Sequence, residues 1–160
     1  MQNKTIICVS KNLTLLEQLN DYLRSYAFSG FNSPEMAIDD ILLKQHIPDV
    51  IFLDLPYKQS VQFCEQLHQD IGLSLIPVLL IISEKTKHNA SEILAMGASD
   101  YIHSPLKPDQ IMAVLDKHLN TRQKWWDIYH IYSPETSEGF DEALNDAREN
   151  THNNQGTPRP

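Results

Sequence analysis

The sequence predicts an α/β domain: a doubly wound, three-layer fold in which five parallel strands form a sheet covered by helices on both faces. Short apolar runs alternate five times with segments of helical period, which is the pattern of a parallel sheet between two helical layers. The runs VIFLDL at 50–55 and VLLII at 78–82 are typical of buried central strands. With 160 residues, 41% of them hydrophobic, the chain is long enough for one such domain and an appendage.

The first strand is predicted at 5–10 (TIICVS), and a second, weaker strand is predicted near 27–31. The helix between them buries Leu16, Leu19 and Leu23, which are spaced as i, i+3 and i+7 on one helical face. This arrangement gives the first strand–helix–strand unit of the sheet.

The second helix is predicted to begin after Ser33, which caps it, with Pro34 as its first residue, and to end near His46. The third helix lies between the strands at 50–55 and 78–82. The second helix is predicted to face inward with Ala37, Ile38, Ile41 and Leu42. The third is predicted to face inward with Val61, Cys64, Leu67 and Ile71.

A fourth helix, a short fifth strand at Tyr101 and Ile102, and a fifth helix behind Pro108 complete the domain, which is predicted to cover residues 1–121. The apolar positions that mark the two helices are Ala90, Ile93, Leu94 and Gly97, and Ile111, Val114, Leu115 and Leu119.

Beyond the domain, residues 122–150 are predicted to form an aromatic and helical extension, and residues 151–160 a disordered tail or linker. Both tryptophans lie within Trp125–Tyr132, where large aromatic side chains are candidates for an interface or for packing against the chain's own sheet. A helix is favoured for this segment, and Phe140 to Ala147 also have helical spacing.

Composition excludes several classes of function. A formal charge of −8 with only 13 scattered basic residues argues against nucleic-acid binding. Without a membrane span or a signal peptide, the chain is expected to be cytoplasmic, with Cys8 and Cys64 as buried thiols. The seven histidines lack metal-ligand spacing, and no Gly-rich phosphate loop or G-x-S-x-G elbow occurs, so neither a metal site nor an enzyme is expected.

The functional crevice of an open parallel sheet lies at the carboxyl ends of its strands. The residues that end the predicted strands are Ser10, Lys11, Asp54, Ile82, Ser83, His103 and Ser104. His103 is a weak site candidate, because a surface or half-buried imidazole is the favoured interpretation.

Three segments carry a resemblance to a known family: IFLDL at 51–55, IPVLLIIS at 76–83 and GASDYIHSP at 97–105 look like the receiver domains of bacterial two-component response regulators. The resemblance covers roughly residues 4 to 120. It implies a flavodoxin-like (CheY-like) fold with strand order 2-1-3-4-5, and it makes Asp54 the phosphoacceptor position.

The supporting pocket departs from this family pattern. Receivers hold a magnesium ion with two acids after the first strand, and they carry a hydroxyl residue after the fourth strand and a lysine after the fifth. Here those positions hold Ser10 and Lys11, Ile82 with Ser83 one place later, and Ser104. The loop LPYKQSVQF after the acceptor is also about two residues shorter than usual. The resemblance is therefore to a degenerate, pseudo-receiver variant, with Mg²⁺ expected only if the pocket still functions.

Lys11 has two interpretations. Its ammonium could reach Asp54 and replace the missing ion, an attraction of about 4 kcal/mol at about 4 Å and an effective dielectric constant of about 20. Alternatively, Lys11 opens the first helix and points into water.

The sequence favours a receiver-like domain that acts by phosphorylation-independent binding to a protein partner, such as a histidine kinase or an output domain, or to itself as a homodimer. Tyr101, at the family's switch position, and Ile111 are the predicted interface residues. The alternatives are a functional receiver phosphorylated on Asp54 by a histidine kinase, and a regulatory module of a longer chain.

Overall fold

The structure is a computed structural model that describes residues 4–44, 47–84, 90–121, 124–125 and 127–128. Five parallel strands form one sheet in the order β2-β1-β3-β4-β5, which confirms the predicted fold class and strand order. The strands are β1 (Thr5–Ser10), β2 (Ala27–Phe31), β3 (Val50–Asp54), β4 (Val78–Ile82) and β5 (Asp100–His103).

Helices lie between successive strands, because parallel strands need a crossover connection. They are α1 (Leu13–Tyr22), α2 (Pro34–Lys44), α3 (Tyr57–His68), α4 (Ala90–Ala95) and α5 (Pro108–His118), and a 3₁₀ turn lies at Leu73–Leu75. Asn12 caps α1 through a hydrogen bond from the Leu15 N–H, and the Met36 N–H donates to the Ser33 hydroxyl at the start of α2, as the sequence predicts.

Alternate residues of the central strands enter two separate cores. In β1, Ile6 and Cys8 pack on the side of α1 and α5, whereas Ile7 and Val9 pack on the side of α2, α3 and α4. Every residue of β4 is buried, so this strand is covered on both faces. The two cores on opposite faces of one sheet are the three layers that the apolar runs predict.

Three helical predictions are wrong in detail. Leu15 is buried in α1, where Leu16 is only partly buried. Leu42 is 40% exposed because it lies beyond the inward stripe that Ala37 and Ile41 form. Ile71 is 67% exposed because α3 ends at His68, before the helical spacing reaches it.

The fifth helix ends at His118 and is followed by a turn at 119–120, after which the described residues between 121 and 128 are again helical. The Lys124 N–H donates to the Asn120 carbonyl at 2.9 Å. The predicted tail at 151–160, most of the extension at 122–150, the end of the second helix near His46 and the side chain of Leu94 lie outside the described residues. Across the part of the chain that the structure describes, no helix combines the length and apolar character needed to cross a membrane.

Candidate functional site: the cleft around Asp54

Asp54 lies at the carboxyl end of β3, directly beside the end of β1. The two strands pair in parallel with Ser10 opposite Asp54, so their last side chains meet at one edge of the sheet. The buried hydroxyl of Ser10 donates a hydrogen bond to Asp54 Oδ2 at 2.7 Å. A neutral donor therefore stands where the receiver pattern has an acid.

The same hydroxyl links Asp54 to the start of α1. Ser10 Oγ accepts a hydrogen bond from the Asn12 N–H at 3.0 Å, and Asn12 Oδ1 accepts one from the Leu15 N–H at 3.3 Å. Because Ser10 uses its proton on Asp54 and a lone pair on Asn12, its hydroxyl is held in one orientation. The carboxylate is thus tied to the cap of the first helix.

A cleft of about 780 Å³ opens above Asp54. Four of the sequence-predicted residues line it: Lys11, Asp54, Ser83 and Ser104. Ile82 does not line the cleft; it ends β4 and is only 8% exposed, packed in the core on the α2–α4 side. The hydroxyl nearest the family's position is therefore that of Ser83.

Two polar residues that line the cleft are not among those predicted from the sequence. Asn12 and Glu84 contribute to the wall of the cleft, immediately after β1 and β4. Both follow a predicted strand end by two residues, and extending the search by those two residues would have included them. Glu84 makes a second carboxylate at the cleft.

Lys11 is exposed and lines the cleft, but the structure contains no ion pair within 4.0 Å between it and Asp54, both of which are described. Its charge is one of the factors that lower the pKa of Glu35, after the backbone N–H of Glu35 and the Ser33 hydroxyl. The structure therefore shows no ion pair of the kind that would let Lys11 replace the missing ion, and α1 begins at Leu13 with Asn12, not Lys11, as its cap.

Cys8 lies in β1 beneath the cleft and is fully buried. Burial raises the pKa of its thiol well above the ordinary value, and the negative charge of Asp54 raises it further. The thiol therefore stays protonated, and Cys64, whose pKa burial raises to about 11, does so too. Both free cysteines are buried, as the sequence predicts.

The donor set differs from that of a receiver-type magnesium site: Asp54 and Glu84 are the carboxylates that line the cleft. Mg²⁺ depends on one or two well-placed carboxylates, and here Asp54 shares its carboxylate with the Ser10 hydroxyl while the adjacent position supplies a cation, Lys11. Within the described ranges, no group of three His, Cys, Asp or Glu side chains is close enough to hold a metal ion. Ser104, which precedes Pro105 through a cis peptide bond, offers a hydroxyl where the family has a lysine.

A second surface feature lies along β5 and α5. Tyr101 is 42% exposed and meets the ring of His103 edge-to-face, with ring centroids 5.5 Å apart. These rings, with Ala113 and Lys117, line a shallow groove of about 470 Å³. The prediction of Ile111 as an interface residue is wrong: Ile111 is fully buried, because it faces the sheet in the core formed with α1.

At one end of the groove, the Asp100 side chain links β5 to α5. Its carboxylate accepts from His118 Nε2 at 2.9 Å and from Lys117 Nζ at 3.5 Å, which joins the start of β5 to the end of α5. Burial opposes ionisation of Asp100, but hydrogen bonds from His118 and the Tyr101 N–H, with the charge of Lys117, leave its pKa below the ordinary value.

Comparison with curated proteins finds relatives among two-component proteins. The chain is 29% identical over 153 residues to histidine kinase P4 of Formosa agariphila, covering 89% of this chain and 11% of that protein. It is 25% identical over 117 residues to the phosphate regulon transcriptional regulatory protein PhoB of Pseudomonas aeruginosa, covering 72% and 51%. The chain thus spans between a tenth and about half of these two relatives. No family model matches it.

Solved structures share the fold. The N-terminal domain of the nisin resistance regulator NsrR, a lantibiotic response regulator, superposes with a TM-score of 0.61 at 27% identity, covering 72% of this chain and 97% of that domain. A response regulator from Chloroflexus aurantiacus gives a TM-score of 0.64 at 23% identity, covering 74% and 98%.

The receiver domain of a sensor histidine kinase from Pseudomonas aeruginosa, solved with magnesium coordinated in its active-site cleft, gives a TM-score of 0.64 at 17% identity, covering 74% of this chain and 98% of that domain. At this identity the likeness concerns the fold alone. The curated relatives are two-component proteins, and the structural neighbours share the fold of receiver domains, so the chain resembles the receiver domains of response regulators.

Proposed function

We propose that this chain is a pseudo-receiver, which transmits a signal by binding a protein partner and does not depend on phosphorylation of Asp54. The observation that carries the proposal is the 2.7 Å hydrogen bond from the buried Ser10 hydroxyl to Asp54 Oδ2. It occupies the carboxylate with a neutral donor at the position where the family places a metal-binding acid.

Phosphoryl transfer to a carboxylate gathers negative charge, and the surrounding site must stabilise that charge. In this cleft the metal-ligand positions hold Ser10 and Lys11, and the lysine position holds Ser104. Hydroxyl groups donate hydrogen bonds but carry no charge, and Lys11 makes no ion pair with Asp54. The altered residues therefore support a domain whose cleft no longer promotes the transfer.

Intact-mass analysis after incubation with acetyl phosphate, with and without Mg²⁺, tests this proposal. We expect no phosphoryl adduct on the wild-type chain under conditions that label a standard receiver. An adduct that needs both Mg²⁺ and Asp54, and that disappears in Asp54→Asn, contradicts it.

That contradicting result would establish the second candidate function, a working receiver phosphorylated by a histidine kinase. One observation favours it: Asp54 is half-buried at the floor of an open cleft, which the hydroxyl residues Ser83 and Ser104 also line. An acyl phosphate on Asp54 would have space in this cleft and hydrogen-bond donors beside it.

The groove along β5 and α5 is the proposed binding surface. Tyr101 offers an exposed aromatic side chain, a type enriched in interfaces, beside the Lys117 side chain and the His103 ring. The proposed occupant is a histidine kinase, an output domain or a second copy of this chain. On this proposal the domain is cytoplasmic, is not an enzyme, requires no cofactor and binds no nucleic acid.

Size-exclusion chromatography over a range of protein concentrations tests the homodimer form of this surface. Tyr101→Ala should shift a dimer to monomer, whereas Tyr57→Ala should not, because Tyr57 has almost the same exposure, 41%, but begins α3. Equal effects of the two variants would show that Tyr101 is not at the interface.

A further inference from the structure

The strand β2 is the outermost strand of the sheet in the part of the chain that the structure describes. Its sequence, AFSGF, contains neither a charged residue nor a proline, and its pairing with β1 runs from Ala27 to Phe31 without a bulge. Native proteins commonly protect an edge strand with such features, because its outward N–H and C=O groups can pair with another strand. The edge at β2 lacks all three.

The helices beside β2 do not cover this edge. Ala27, Ser29 and Gly30 are exposed, although α1 and α2 pack near the strand on the two faces of the sheet. The opposite edge differs, because β5 begins with the charged residue Asp100, whose carboxylate is bound by His118 of α5. The described sheet therefore has one protected edge and one unprotected edge.

The hydrogen bonds to β1 fix which backbone groups of β2 point outward. The Ala27 N–H donates to the Lys4 carbonyl at 2.9 Å, so Ala27 faces β1. Successive residues of a strand present their N–H and C=O groups to alternate sides, so the parallel register also turns Ser29 towards β1. Phe28 and Gly30 consequently present their N–H and C=O groups to the open edge.

These outward groups are self-complementary. If a second β2 lies antiparallel to the first, with a two-fold axis at Ser29, Phe28 of each copy exchanges both backbone hydrogen bonds with Gly30 of the other copy. Ser29 then faces Ser29 as a non-hydrogen-bonded pair, in which side chains approach most closely, and the two hydroxyl groups can bond to each other. The same patch serves both copies, as a two-fold interface requires.

The side chains match in the same register. Phe28 lies opposite Gly30, and Phe31 lies opposite Ala27, so each large side chain meets a small residue. Phe28 and Phe31 are only partly buried in the single chain, and pairing covers more of each ring. Cross-strand contacts of an aromatic ring with a glycine stabilise sheet edges. The neighbouring antiparallel registers place Phe28 or Gly30 opposite itself and lose this match.

The flanking helices also fit this arrangement. A two-fold axis perpendicular to the sheet keeps the two copies of α1 on one face and the two copies of α2 on the other. Each helix contacts both β1 and β2. The two copies of a helix would therefore lie about two strand spacings apart, or about 9.6 Å, and packed helices are typically 8–10 Å apart.

We propose that the edge of β2 is a homodimer interface, at which a second copy of this chain adds its own β2 in antiparallel orientation and joins the two sheets into one. The second copy is the occupant because both the outward backbone groups and the side-chain sizes match under two-fold symmetry. This dimer leaves the groove along β5 and α5, at the opposite edge of the sheet, open to a different protein partner.

Sedimentation equilibrium of the whole chain over a range of concentrations, at physiological salt, tests the proposal. The wild type should show a monomer–dimer equilibrium. Ser29→Lys should raise its dissociation constant by about tenfold or more, because two ammonium groups then face each other at the axis. Ser91→Lys makes the same change at an exposed residue of α4 and should alter the constant by less than about twofold.

A mixture of two variants tests the two-fold axis itself. Ser29→Glu alone should be monomeric, as Ser29→Lys is, because like charges again face each other. An equimolar mixture of Ser29→Lys and Ser29→Glu should dimerise, because opposite charges then meet at the axis. Misfolding of either variant would not produce this recovery.

A wild type that stays monomeric at millimolar concentration would overturn the proposal, and so would a mixture that stays monomeric. A dimer that Tyr101→Ala dissociates and Ser29→Lys does not would also overturn it, by placing the second copy on the groove along β5 and α5. None of these results depends on Asp54, so the proposed signalling function is tested separately.

Discussion

The body of the sheet and its carboxyl edge differ in how closely they follow the receiver pattern. The inner strands β1, β3 and β4 retain it throughout, with nearly every residue buried. At the edge, hydroxyl, ammonium and aliphatic groups replace the acids, the hydroxyl and the lysine that receivers use. The fold and its chemistry are thus specified by different residues, and one can be kept while the other changes.

Free energy explains why the two regions can separate. Each fully buried aliphatic side chain contributes about 1.5–3 kcal/mol to folding, and this term depends on the strands and not on the loops at their ends. Acidic side chains gathered around Asp54 would instead repel it, whereas the Ser10 hydroxyl donates a hydrogen bond to it at 2.7 Å. The Ser10 hydroxyl therefore favours the folded state, and on the proposed function it stands where a receiver has a metal-binding acid.

The largest decrease in the free energy of unfolding is expected from a substitution in the body of the sheet. Leu80→Ala, in the centre of β4, should lower the free energy of unfolding by about 2–5 kcal/mol, because it empties a fully buried site. Leu43→Ala makes the same chemical change at a residue that is 82% exposed and should change it by less than about 0.5 kcal/mol. Urea denaturation of both variants measures the difference; similar values would contradict the assignment of the core.

The next largest decrease in the free energy of unfolding is expected at Ser10, which links the buried β1 strand to Asp54 at the carboxyl edge of the sheet. Ser10→Ala removes the donor to Asp54 and the acceptor of the Asn12 N–H, and should lower the free energy of unfolding by roughly 1–3 kcal/mol. Ser104→Ala changes an exposed hydroxyl at the same cleft and should cost less than about 0.5 kcal/mol. If the two variants unfold at the same urea concentration, the Ser10 hydroxyl does not support the carboxylate.

A smaller, pH-dependent effect is expected where β5 meets α5. Because the folded-state pKa of Asp100 is lowered, its contribution is fully present above the unfolded pKa, about 3.9, and is lost as pH falls through the folded pKa. Asp100→Asn should therefore be less stable than the wild type at pH 7 by up to about 1 kcal/mol, and the difference should shrink below pH 4. Thermal unfolding from pH 7 to pH 2 measures it. A constant difference would contradict the assigned direction.

The smallest effect is expected from Lys11→Ala, within about 0.5 kcal/mol of the wild type, because Lys11 is exposed and makes no ion pair with Asp54. Chemical denaturation at low and high salt checks this. A loss well above 1 kcal/mol that salt removes would restore the hypothesis that this ammonium replaces the missing metal ion.

The sequence was sufficient for the sheet because alternation of apolar runs and helical periods is set by burial, which is nearly complete in β1, β3 and β4. It also located Asp54, since the carboxyl ends of parallel strands share one edge. The sequence did not predict the direction of individual side chains. Ile111 has helical spacing, but only the packed helix shows that it faces the core. The Ser10–Asp54 hydrogen bond depends on strand register and rotamer, which periodicity does not determine.

A titration with Mg²⁺ followed by backbone amide NMR tests the central claim most directly, that this edge of the sheet no longer holds the metal on which receiver chemistry depends. We predict only small, non-saturating shifts at Lys11, Asp54 and Leu55 up to millimolar Mg²⁺, equal in the wild type and in Asp54→Asn. A saturating shift at these residues that Asp54→Asn abolishes would contradict the account and identify the cleft as a working metal site.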